Sequence, residues 1–130
     1  MDLRFAVNDS AGANIRFLQF VHERPMHLVV VSHDLVDFAH VHPELAVDDA
    51  YEVRHVFPRA GVYRLFADYT PPGSGTRVDH FDVNVAGDAE PVHRLVPDHL
   101  LTHTAAGVRV ALAFDHLPRA RAKTFSSPRP

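Results

Sequence analysis

Residues 26–43 read Met26-His27-Leu28-Val29-Val30-Val31-Ser32-His33-Asp34-Leu35-Val36-Asp37-Phe38-Ala39-His40-Val41-His42-Pro43, two extended stretches separated by a short polar loop. How these two stretches pair decides the fold. The run of three valines is the β-branched composition of a strand, and Pro43 closes the second stretch. His40 and His42 stand two residues apart, so in an extended chain their rings leave the same face about 7 Å apart. If the hairpin places Ser32 opposite Asp37, then Val31 faces Phe38, Val29 faces His40 and His27 faces His42. Three imidazoles then share one face. Opposed Cβ atoms are about 4.5 to 5.5 Å apart and diagonal neighbours about 7 to 8 Å, within reach of a common ion. A slip of one residue would send His27 to the other face.

Working outward, the same alternation recurs in residues 3–7, 15–21, 51–57, 62–69, 78–85 and 108–114, with turn residues between them. With residues 27–32 and 38–42 this makes eight strands, and the fold class is all-β, an Ig-like antiparallel two-sheet sandwich of seven to eight strands. Residues 57–63, Phe-Pro-Arg-Ala-Gly-Val-Tyr, turn the chain into a strand that starts on Tyr63, the corner arrangement of such sandwiches. From there Tyr63, Leu65, Ala67 and Tyr69 are expected on the core face, while in the next strand Phe81, Val83 and Val85 point inward and His80 outward. The sandwich is expected to occupy residues 1–87. Residues 88–130 read as a polar connection, one further strand and a disordered tail, with residues 97–104 a loop or single turn. Residues 107–114 also look like the opening of another sandwich repeat.

Composition excludes several functions. Of 130 residues, 13 are Lys or Arg and 16 Asp or Glu, scattered and without the basic stripe that binding to nucleic acid requires. No apolar run approaches the roughly 20 residues that span a bilayer, and no export signal opens the chain, which begins on its first strand. There is no cysteine, no serine in a nucleophile-elbow context and no glycine-rich phosphate loop ahead of a helix. Nucleophilic catalysis and nucleotide binding therefore have no support. Histidine is the anomaly, at 11 residues. It is also the side chain most often used to hold metals near neutral pH.

The candidate metal ligands are His27, His40 and His42, with Asp34, Asp37, Asp68, His33 and His55 as candidate further ligands or carboxylates that orient a ring. Met26 adjoins His27, but strand alternation turns its thioether to the opposite face. The expected function is a non-catalytic module holding copper or zinc as Cu(II) or Zn(II). A three-histidine enzyme site, with its open position for water, also fits the ligand set, although nothing marks a substrate pocket. The alternative is a structural or interaction domain without metal. Its histidines would only hydrogen-bond within the hairpin, and a protein partner would bind along a sheet edge.

These residues also carry a resemblance. The histidine ahead of an apolar strand, His40-Val41-His42-Pro43 after a short turn, and the corner of residues 57–63 resemble a small bacterial extracytoplasmic β-sandwich module, Ig-like or cupredoxin-like, associated with copper and heavy-metal handling. The similarity covers residues 3–85. It implies that His27, His40 and His42 are the characteristic histidines, and it implies a location outside the cytoplasm; it says nothing of His93, His99, His103 or His116.

Overall fold

In a computed structural model that describes residues 1–88, 91 and 93–116, the chain is all-β, with no helix among the described residues. Contacts divide the chain into two units, Met1–Leu95 and Val96–Pro130. The first holds seven strands: β1 (Asp2–Phe5), β2 (Met26–Ser32), β3 (Phe38–Val41), β4 (Glu44–Leu45), β5 (Tyr51–Arg54), β6 (Gly61–Tyr69) and β7 (Arg77–Val85). They form two antiparallel sheets, β3-β2-β6-β7 and β1-β5-β4.

Alternation in β2 separates the two faces of the larger sheet. Met26, Leu28, Val30 and Ser32 are buried, whereas His27, Val29 and Val31 are half-buried on the outer face. Across β2 and β6 the core gathers Met26, Leu28, Val30, Tyr63, Leu65 and Ala67, packed with Leu3 and Tyr51 from the other sheet. Leu28 is completely buried. Each such aliphatic side chain contributes about 1.5 to 3 kcal/mol. Phe81 is 47% exposed, although it still stacks against Phe5 with ring centres 6.0 Å apart.

Residues 15–21, expected as a strand, run instead as a connection held by isolated bridges, Asn14 with Asn8, Gln19 with Thr70 and Val21 with Arg24. The buried position here is Leu18, while Phe17 and Phe20 are exposed, so side-chain burial does not follow period two. The buried Tyr51 tethers the segment: its hydroxyl donates to the Arg16 carbonyl at 2.9 Å and accepts from the Leu18 amide at 3.1 Å.

In the second unit, β8 (Thr102–Ala105) pairs with β9 (Val108–Ala111), so part of the stretch expected as loop is a strand. The hairpin turns on Ala106 and Gly107, both at positive φ, as a tight two-residue turn requires. The expected tail lies outside the described residues, which end at 116. Among the described residues no helix is long and apolar enough to cross a membrane.

The hairpin that decides the fold is pinned at its loop. The Ser32 amide donates to the Asp37 carbonyl at 2.9 Å, and Val31 stands opposite Phe38 and Val29 opposite His40, the register on which a three-histidine face depends. The buried Ser32 hydroxyl donates to Asp34 Oδ1 at 2.7 Å and accepts the amides of Val36 and Asp37 at 3.1 and 2.8 Å. Arg59 then clasps both carboxylates, with Nη1 3.1 Å from Asp34 and Nε 2.8 Å from Asp37. Its hydrogen bonds to Asp34, with that of Ser32, hold the Asp34 carboxyl far below the usual carboxylate range. Tyr63 closes the corner. Its hydroxyl lies 3.0 Å from Asp37 Oδ2 and 3.1 Å from the Arg59 carbonyl four residues upstream.

Replacing Tyr63 by Phe removes that hydroxyl from a site only 1% exposed. Urea denaturation should show a loss of about 1 to 2 kcal/mol; an unchanged midpoint would mean that the corner bond contributes nothing.

Candidate metal centre

His27 lies on β2 and His40 on β3, both on the outer face of the larger sheet. His42 follows one residue after β3 ends, and buried Pro43 keeps its backbone extended, because the ring of a proline disfavours helical geometry in the residue before it. The three rings converge. One ligating nitrogen from each lies within 4.8 Å of the others, and the group could hold a metal ion. His27 and His42 are half-buried and His40 is exposed, so the site is open to ions from solvent.

Ring separations give a sharper test. A metal about 2.0 to 2.1 Å from each nitrogen sits about 3.2 Å from each ring centre, and tetrahedral angles then place ring centres about 5.2 Å apart. The observed separations are 5.4 Å for His27 and His40, 4.9 Å for His27 and His42, and 4.8 Å for His40 and His42. All three pairs stand near that spacing.

His27 is oriented from behind. Its Nε2 lies 2.8 Å from the Val21 carbonyl, which can only accept, so Nε2 carries the proton and Nδ1 keeps its lone pair. Nδ1 faces His40 Nε2 at 3.2 Å. A carbonyl bonded to the far nitrogen of an imidazole is how proteins fix the tautomer and aim of a metal-binding histidine. His42 makes no side-chain hydrogen bond among the described residues. Burial, followed by the charges of His27, His40 and Arg24, lowers its proton affinity below the ordinary histidine value of 6.5. At neutral pH this ring is unprotonated and able to bind.

The other sequence candidates are placed elsewhere. Asp34 and Asp37 are committed to Arg59 at the far end of β2, five residues from His27 or about 17 Å along the strand. His33 is exposed at the start of the same loop, its amide bonded to the Val62 carbonyl at 2.9 Å. His55 packs edge-on to Phe57 at 4.7 Å beyond the end of β5; burial and the nearby N-terminal ammonium hold its proton affinity below the ordinary value. Asp68 is the one carboxylate of the set beside the cluster, directly across from His27 on β6. Met26 is buried in the core, on the face away from the histidines.

Sequence reasoning missed the segment 21–24. The amide and carbonyl of Val21 are paired with those of Arg24, and His22 and Glu23 between them both have positive φ, 49° and 68°. Two-residue turns of this kind favour Asn and Gly; non-glycine residues held there cost on the order of 1 kcal/mol or more each. Without a glycine or asparagine the sequence shows no turn, and His22 belongs to no motif.

The fold and the cluster define an all-β sandwich domain whose outer sheet face could hold a metal ion through three histidines. The chain belongs to a family described as a domain of unknown function, DUF8832, whose model matches residues 1–87 and so spans both sheets and all three histidines. No curated protein and no solved structure matches it.

Because folded His42 holds its proton less tightly than the unfolded chain does, its contribution to stability is present above about pH 6.5 and is lost as pH falls. An NMR titration of the metal-free protein should place the His42 ring midpoint below 6.5. A midpoint at or above that value would contradict the buried, charge-crowded environment described for this ring.

Proposed function

We propose that this domain is a non-catalytic metal-binding module that holds Cu(II) or Zn(II) through His27 Nδ1, His40 and His42. The observation that carries the reading is the convergence of three imidazoles at ring separations of 4.8 to 5.4 Å. The donor chemistry supports it: imidazole suits copper and zinc, and with Met26 buried on the opposite face and no cysteine in the chain, no soft ligand selects Cu(I). The resemblance to sandwich modules of copper and heavy-metal handling, and with it a location outside the cytoplasm, points the same way.

Purified protein offered either ion at neutral pH should retain one equivalent by elemental analysis, and uptake should fall in acid, because a protonated imidazole cannot ligate. Replacing His40 and His42 together by Gln should abolish uptake and leave the melting temperature of the metal-free protein nearly unchanged. A second reading rests on the 3.2 Å contact between His27 Nδ1 and His40 Nε2, which can serve as a plain hydrogen bond anchoring the hairpin. Under that reading the same double variant melts lower without metal, and the wild type retains none.

A further inference from the structure

The turn at residues 21–24 does more than the metal-binding reading has used. Its Val21 carbonyl accepts two hydrogen bonds, from the Arg24 amide at 3.2 Å and from His27 Nε2 at 2.8 Å, so the turn is fastened to the back of a ligand ring. The turn is built from His22 and Glu23 in the left-handed region, where Asn and Gly would sit without strain. Strain retained in a two-residue turn against a candidate site calls for a reason in the side chains it displays. Glu23 and His22 are both exposed, and the His22 ring stands edge-on to His27 with centres 6.1 Å apart.

We infer that His22 is a fourth ligand, swinging onto an ion held by His27, His40 and His42 and closing the site. The inference rests on the metal-binding reading above. Two imidazoles on one metal have ring centres about 5.2 Å apart at tetrahedral angles and about 6.4 Å apart when trans. His22 stands 6.1 Å from His27, longer than the tetrahedral spacing, and lies outside the group whose nitrogens come within 4.8 Å, so it joins the ion only by turning its ring inward. Among the described residues no hydrogen bond or ion pair holds the exposed His22 ring.

Closing the fourth position has a functional meaning. Zinc sites with four protein ligands are structural or storage sites, whereas three ligands and an open position allow a bound water to react. Tetragonal Cu(II) likewise takes four strong donors. A His22 ligand thus makes the site a holding site rather than a hydrolytic one. Asp68, the competing fourth donor, lies directly across from His27 on β6, on the other side of β2 from His40.

His22→Asn tests this cleanly, because Asn tolerates the left-handed conformation and keeps the turn while removing the imidazole. Affinities for Cu(II) and for Zn(II) would be measured by competition titration for the wild type, His22→Asn and Asp68→Asn, each with and without millimolar imidazole, with circular dichroism as the check on folding. The expected result is a loss of at least about tenfold in His22→Asn, regained with added imidazole, and no change in Asp68→Asn. Equal affinity in wild type and His22→Asn, insensitive to imidazole, would overturn the fourth ligand and leave the three-histidine site standing. A loss in Asp68→Asn alone would assign the position to the carboxylate. A wild type with no affinity for either ion would remove both readings together.

Discussion

A shift of one residue between β2 and β3 would carry His40 and His42 from the outer face of the sheet to the core face, where Leu28 and Val30 are buried. The register of this hairpin is therefore the constraint from which the site follows. It is held at the loop by Ser32, whose hydroxyl satisfies two amides and one carboxylate, and by Arg59 and Tyr63, which reach the loop carboxylates from the adjoining corner. Polar groups at one end of β2 thus determine where imidazoles meet at the other, about 17 Å away.

Core and site divide the two faces of one strand. Met26, Leu28 and Val30 bind the larger sheet to the smaller, while His27 between them points outward to meet His40 and His42. Neither function interferes with the other: ligands on the outer face can be exchanged without opening a cavity in the core. Burial, followed by the charges of His27, His40 and Arg24, disfavours protonating His42 and leaves it ready for a cation.

Much of this was legible in the sequence. The β-branched run, the i, i+2 histidines and Pro43 specify two strands; pairing Ser32 with Asp37 across the four residues between them was one register open to the sequence, and it is the one the hairpin adopts. What stayed hidden depends on tertiary partners. Asp34 looks like a ligand in the linear chain because Arg59, its partner, is 25 positions away. Residues 15–21 alternate like a strand, yet Tyr51 tethers them as a connection. The turn at His22 and Glu23 carries none of the residues by which such turns are recognised, so the carbonyl that aims His27 emerges only when the chain is folded. Strand β8 escaped for a related reason: Thr102–Ala105 has little apolar pattern, and its pairing is set by the turn at Ala106 and Gly107.

The most direct measurement is an anomalous difference map from crystals grown with Cu(II) or Zn(II), recorded at the absorption edge of that metal. One strong peak is expected on the outer face of the β2 and β3 hairpin, about 2.0 to 2.1 Å from His27 Nδ1 and from one nitrogen each of His40 and His42. A map with no peak there, the three rings bonded only to one another and to the Val21 carbonyl, would contradict it.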